Sequence, residues 1–288
     1  VKFLQFSFKI VLIAVYISAV VFFIGCAPPV EKKMLSCPGA GSLDESIQRL
    51  KANSQNIVSF RGNGKCQSVF YDDGRRYREN FSVKIWAEPP SDLRLQGDIF
   101  FDPKGIVLGS NSEEFWFSIK PRLSTYVWGV WSEQDTASAG LINPATLLEA
   151  FGAPKITDRH KWKLSNDKVF DILTKTNDKG KPVKKIYIYC CDYLIRRIEY
   201  YGKDGKITLI AKLDEYIKAD NNFFLPGLIE MVTFDRKGNE NSFKMSFDDF
   251  KAVEFTDRQK RALFARPEPR GFNNVYRIIK GDAVEQTK

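Results

Sequence analysis

The feature that most constrains this chain is a period of two in its apolar residues, repeated through most of its length. Phe81, Val83, Ile85 and Ala87 alternate with Ser82, Lys84, Trp86 and Glu88. Leu93, Leu95, Gly97 and Ile99 alternate with Arg94, Gln96 and Asp98, and Phe115, Phe117 and Ile119 with Trp116 and Ser118. Later, Ile186, Ile188 and Cys190 alternate with Tyr187 and Tyr189, and Phe243, Met245 and Phe247 with Lys244 and Ser246. Successive side chains of a strand point to opposite faces, so such runs predict strands with one dry and one wet face. Short polar turns such as Asp204-Gly205 and Arg236-Lys237-Gly238-Asn239 predict hairpins between them. Hairpins in series build an antiparallel sheet.

Helical signals interrupt this pattern at three places. Ser42 and Glu45 have capping-box spacing, and Leu43, Ile47 and Leu50 follow on one helical face, which predicts a helix to about Asn53. Asn143 and Pro144 suit a helix start, Leu147, Leu148 and Phe151 form a stripe, and Gly152 suits its end. Thr256 and Gln259 predict a third, short helix to Phe264, stopped by Pro267. The expected order is helix, about six strands, helix, about six strands, short helix, then a loose polar tail from Asp282 to Lys288. A twisted sheet of that size curls, and its apolar concave face needs cover. The fold class is therefore mainly β with a few helices (α+β), a curled antiparallel sheet forming an incomplete β-barrel covered by helices.

The N-terminus reads as an address. Lys2 and Lys9 precede an uncharged apolar run from Ile10 to Ile24, which ends in Gly25-Cys26-Ala27. A positive start, an apolar stretch of about fifteen residues and a small residue before a cut describe a secretory signal, and the stretch is short for a span of about twenty residues. Phe23-Ile24-Gly25-Cys26 resembles the lipobox of bacterial lipoproteins, although Phe23 stands where Leu is usual. The resemblance implies a signal peptide over 1–25, a lipid on Cys26 and a tether over 26–41; an uncleaved membrane anchor is the alternative. The formal charge of +9 is spread along the chain, in clusters such as Arg75-Arg76-Tyr77-Arg78, Arg196-Arg197 and Arg258-Lys260-Arg261. An exported chain meets phospholipid headgroups rather than nucleic acid, and solvated faces are the default.

Residues for chemistry are sparse. There are 5 cysteines and 1 histidine. Cys37, Cys66, Cys190 and Cys191 remain after Cys26. They read first as small hydrophobic residues; if oxidised, Cys37–Cys66 is the more plausible pair. Cys190 and Cys191 face opposite sides of a strand and are poor partners for each other. His160, between Arg159 and Lys161, reads as an exposed loop residue, with no nucleophile motif near it. Asp72-Asp73 and Asp248-Asp249 read as solvated acids at turns and strand ends, and Trp86, Trp116, Trp128, Trp131 and Trp162 as half-buried sheet residues. No metal-ligand spacing or phosphate loop is present, so no cofactor, metal or enzymatic activity is expected.

Several stretches together resemble the LolA/LolB-like family of periplasmic lipoprotein carriers and receptors. These are Leu50, Ile57 and Phe60-Arg61-Gly62; the run Leu95 to Gly105; Phe115-Trp116-Phe117 with Tyr126-Val127-Trp128; and Leu225-Pro226 with Ile229 and Met231. The resemblance covers 42–265 and leaves 266–288 as a C-terminal extension. It implies a cavity between half-barrel and helices that takes acyl chains or lipoproteins. Candidate cavity or membrane-loop residues are Phe81, Val83, Ile85, Leu93, Leu95, Ile99, Phe100, Phe101, Ile106, Phe115, Phe117, Leu147 and Phe151. Phe100, Phe101, Ile106 and Val107 flank Asp102-Pro103-Lys104-Gly105, a loop that would suit a bilayer surface. The implied role is a monomeric, lipid-anchored envelope protein, on the outer membrane facing the periplasm, acting in lipoprotein localisation. The alternative is a structural or assembly lipoprotein whose filled core leaves it to bind a partner protein.

Overall fold

The computed structural model describes residues 34–72, 74–99, 102–120, 123–133, 144–152, 154, 156–219, 223–234 and 238–286. The expected signal peptide, Cys26, Phe100, Phe101 and Asn143 lie outside them. The chain divides into two compact units, Val1–Leu35 and Ser36–Lys288, and the second is the one described below.

That unit is mainly β. Helix α1 (Leu43–Gln55) precedes strands β1 (Phe60–Asp72), β2 (Arg75–Glu88), β3 (Asp92–Ile99), β4 (Asp102–Ser110), β5 (Glu114–Ile119) and β6 (Thr125–Val130). Helix α2 (Pro144–Ala150) follows. Next come β7 (Trp162–Asn166), β8 (Phe170–Thr176), β9 (Pro182–Tyr189), β10 (Ile195–Tyr201), β11 (Ile207–Lys218), β12 (Phe224–Phe234) and β13 (Glu240–Ala252). Helix α3 (Asp257–Phe264), β14 (Asn274–Ile279) and β15 (Asp282–Glu285) complete the chain. All 15 strands form one open sheet in the order β15-β14-β6-β5-β4-β3-β2-β1-β13-β12-β11-β10-β9-β8-β7. The two halves of the chain meet at the centre, where β1 pairs with β13 across a bulge at Asn63/Gly64.

The caps explain the helices. Ser42 accepts from the Glu45 N–H at 3.2 Å and the Glu45 carboxylate accepts from the Gly41 N–H at 2.8 Å, so the reciprocal bond falls one residue outside the expected box. Thr256 and Gln259 make the full box that starts α3. Gly152, at φ +91°, ends the α2 segment in a conformation that glycine adopts without strain.

The C-terminal reading needs correction. Residues 282–288 were expected to be loose and the sheet to end before 265, yet β14 and β15 extend it. β14 runs parallel to β6, from Asn274↔Thr125 to Ile278↔Gly129, the one departure from the antiparallel rule. The chain returns along the wet face of β3–β6 before this. Arg94 donates to the Leu263 carbonyl, Asn111 to that of Phe264 at 3.0 Å and the Tyr126 hydroxyl to that of Pro267 at 2.7 Å. The Arg266 guanidinium lies 4.2 Å from the Trp128 ring centre and bonds Glu114 at 2.6 Å. Trp116 and Tyr126 are thereby fully buried on a face that alternation assigns to water. Of the expected half-buried tryptophans, Trp162 is buried too.

The main core lies on the other face. Alternate residues of the strands, among them Val83, Ile85, Leu93, Leu173, Ile186, Ile188, Ile198, Leu209 and Ile229, share one cluster with Ile47 and Leu50 of α1 and Leu147 and Leu148 of α2. Phe151, just after α2, joins Phe60, Phe247 and Phe250 at ring separations of 5.5–5.9 Å.

The expected Cys37–Cys66 pairing is replaced by a Cys37–Cys191 disulfide with Cα atoms 5.1 Å apart. Cys66 points inward from β1 into the core, where nothing brings Cys37. Cys190 and Cys191 fall in the turn just after β9 rather than on a strand, Cys190 buried and Cys191 exposed.

Candidate functional site

The dry face holds a small apolar hole of about 30 Å³. It is lined by Cys66, Phe81, Leu95, Ile106, Leu108, Phe117, Leu147, Met231, Phe243 and Met245. These come from β1–β5, α2, β12 and β13, and none carries a charge. Gly97 makes room beside it: a Cβ there would sit 2.6 Å from the Phe81 ring. Burial pushes the Cys66 thiol up to about 12, so it behaves as an apolar wall and not as a nucleophile.

Of the sequence candidates, Phe81, Leu95, Ile106, Phe117 and Leu147 line the hole. Val83, Ile85, Leu93, Ile99 and Phe151 belong to the packed core around it. Phe115 stands apart, its ring 4.6 Å from that of Trp131 at the sheet margin. Sequence reasoning missed Cys66, Leu108, Met231, Phe243 and Met245 as lining residues. Leu108 shares the face of Ile106, and the alternation of Met245 was already visible, so facing was legible while the void was not.

A second depression, an open crevice of about 100 Å³, lies where the ends of α1 and α2 approach β10–β12. Leu50, Asn53, Asn56, Ile57 and Gly152 form one side, and Tyr193, Leu194, Ile195, Tyr216, Phe223 and Phe224 the other. Asn53 donates to the Tyr193 carbonyl at 2.9 Å and Asn56 to that of Ala52 at 3.1 Å. Phe224 is 44% exposed at the rim.

Three buried polar groups brace this framework. Glu149 of α2 takes an ion pair from Lys184 of β9 and a hydrogen bond from the Tyr200 hydroxyl of β10. Burial, and then the Glu149 charge, hold the Tyr200 phenol well above its ordinary pKa. Asp171 of β8, fully buried, accepts from the Ala40 N–H at 2.9 Å, from Asn166 at 2.7 Å and from the Tyr193 hydroxyl. It pins the segment before α1 beside the disulfide. On the opposite face Glu199 accepts from Tyr187 at 3.1 Å and Tyr201 at 2.5 Å and pairs with Arg197. Arg196 bonds Asp192 at 2.5 Å and lies 4.8 Å from the Tyr216 ring centre. The Arg196-Arg197 pair is therefore structural rather than a free basic patch.

His160 is exposed in a short 3-10 turn, Arg159–Lys161. Asp248 is exposed on β13, and Asp249 is 3.7 Å from Lys251. Among the described residues no group of three or more His, Cys, Asp or Glu side chains is placed to hold a metal ion. None of the described helices is long and apolar enough to cross a membrane.

No protein-family model matches the sequence, and no curated protein matches it either. Solved structures do match. An outer membrane lipoprotein-sorting protein domain from Vibrio parahaemolyticus aligns with 77% of this chain and 97% of its own, at 12% identity and a TM-score of 0.51. A DUF1329 family protein from Desulfovibrio piger aligns with 78% of this chain and 100% of its own, at 14% identity and a TM-score of 0.51. A LolA superfamily protein from Nitrosomonas europaea aligns with 79% and 99%, at 11% identity and a TM-score of 0.48. At such identities the likeness speaks of the fold. The large open sheet with its helices, matched over 97% of the length of the Vibrio lipoprotein-sorting domain, shows that this chain shares the fold of that domain.

Proposed function

We propose that this chain is a non-enzymatic cell-envelope protein, anchored through a lipid on Cys26, that shelters acyl chains of lipids or lipoproteins between a curled sheet and helices α1 and α2. The observation that carries the reading is the hole itself, lined by ten residues without a charge. Its lining supports the curl. Phe117 of β5 and Met231 of β12 are six strand spacings apart in the sheet order, about 29 Å if the sheet were flat at ~4.8 Å per strand. Both border one hole of about 30 Å³, which a sheet bent around its apolar face accommodates. The bulge at Asn63/Gly64 favours such bending, because an extra residue increases local twist and turns the strand.

The hole, about 30 Å³, is too small for an acyl chain as it stands, so a chain enters only if the wall that includes Leu147 of α2 yields. Helix α2 is short, and the Glu149 cluster and its apolar stripe hold it down. Outer-membrane placement and a part in lipoprotein localisation belong to this proposal. They rest on the fold shared with the Vibrio lipoprotein-sorting domain and on the lipobox-like segment around Cys26.

The small volume also favours a second reading, a filled core whose surface binds a partner protein. Solvent extraction of the purified full-length chain, with mass spectrometry of what is released, separates the two. Acyl lipid recovered near one per chain, beyond any lipid bound covalently, is the expected result. A folded chain that carries none and takes up none when offered palmitate or phospholipid overturns the first reading in favour of the second.

A further inference from the structure

The hole and the crevice lie on either side of the end of α2. Leu147 borders the hole and Gly152 the crevice. Gly152 stands two residues past Ala150, the last residue of α2, and Leu147 lies within the helix. The space between is taken by aromatic rings in direct sequence. Phe223, in the crevice wall, lies 6.4 Å from Phe60; Phe60 lies 5.5 Å from Phe151; Phe151 lies 5.5 Å from Phe247. Two residues along β13 from Phe247, on the same face, is Met245, a wall of the hole. Phe60 and Phe247 project from central strands, where the ladder fixes their backbones. Phe151 sits instead at the end of α2, its N–H bonded to the Leu147 carbonyl at 3.1 Å, and precedes Gly152 at φ +91°. No turn of α2 follows it, so a swing of its ring would unwind none.

We propose that the crevice and the hole are the two ends of one acyl-chain tunnel and that the Phe151 ring is its gate. This rests on the acyl-binding reading above and adds the route of entry and the residue that limits depth. The occupant fits chemically at each end. The interior wall offers only apolar contacts, which suits a methylene chain. The mouth sets the amides of Asn53 and Asn56 beside apolar Ile57, Phe223 and Phe224, which suits a polar head joined to a chain.

The test uses the full-length protein reconstituted in phosphatidylethanolamine–phosphatidylglycerol vesicles doped with palmitic acid bearing a diazirine at its ω end. Photolysis followed by peptide mass spectrometry reports where the chain end lies. The wild-type protein is expected to label chiefly at the crevice walls. Phe151→Ala should raise labelling at Met231 and Met245 at least fivefold, and Ile57→Trp, which fills the mouth, should lower labelling at both places at least fivefold. If Phe151→Ala loses its cooperative melting transition, Phe151→Leu replaces it, with at least a twofold rise expected. Unchanged interior labelling in a folded Phe151 variant, or interior labelling that survives Ile57→Trp, overturns the gate while leaving acyl binding intact. No interior or crevice labelling in any variant overturns the acyl-binding reading and the gate with it.

Discussion

Gly64 shows how much one missing methyl group decides. A Cβ at this position would lie 2.2 Å from the Ser246 carbonyl oxygen and 2.9 Å from the Phe247 Cα, both backbone atoms that a rotamer change cannot move. The close approach sits beside the bulge that joins the two halves of the sheet. Gly64→Ala is therefore expected to lower unfolding free energy by about 2 kcal/mol or more, within the range of strongly destabilising single changes. A denaturant titration with unchanged midpoint would refute it. Protonation works at the same scale. Burial raises the Tyr193 phenol to about 12, with Asp171 adding to the shift, and raises the Cys66 thiol to about 12. Tyr200 is also raised well above its ordinary value, by burial first and Glu149 second. Each folded pKa is above its unfolded value, so the folded state binds the proton more tightly. That stabilisation is complete below about pH 8.5, the unfolded thiol value, and is lost as pH climbs through 10 and towards the folded values. The melting temperature should be level near neutrality and fall steadily above about pH 9; Tyr200→Phe should remove part of the alkaline slope.

Elements were legible where one face is dry and the other wet. Ile186 and Ile188 against Tyr187 and Tyr189 announce β9, and Thr256 with Gln259 announces α3. β14 gave no such signal, because all six of its residues are half-buried; a strand covered partly on both faces has no period of two to read. Disulfide pairing was illegible for a different reason. Alternation says that Cys190 and Cys191 diverge, but a partner 154 residues away depends on where α1 and β7–β10 come together. That link holds the segment before α1 to the turn between β9 and β10, where Tyr193 bonds Asp171 of β8. Closing so long a loop restricts the unfolded chain, a contribution of roughly 2–5 kcal/mol by the usual range. Cys191→Ser should lower the melting temperature of the oxidised protein to that of the wild type under reducing conditions. Equal melting of oxidised wild type and Cys191→Ser would show that the buried Asp171 cluster alone holds the segment.

Over the whole molecule, alternation reveals which residues face inward and is silent on whether space remains between them. Phe81, Leu95, Ile106, Phe117 and Leu147 were assignable to an inner face, yet neither the hole nor the crevice follows from their identities, since both depend on how far the sheet bends and where α2 lies. The same silence hid the role of the residues after α3. The segment after α3 crosses the outer face, covers Trp116, Tyr126 and Trp128, and adds β14 and β15 beyond β6. Without it β6 becomes a bare sheet edge, and a fully buried tryptophan and tyrosine meet water; exposed strand edges and large apolar patches both promote association. Ending the chain after Ala265 should therefore do more than trim a tail. The truncated protein is expected to melt at lower temperature, to show red-shifted tryptophan emission from Trp116 and Trp128, and to aggregate at concentrations where the full chain stays monodisperse. Truncation that leaves melting and emission unchanged would mean that β6 is a sufficient edge and that the return strand is an ornament on a sheet complete without it.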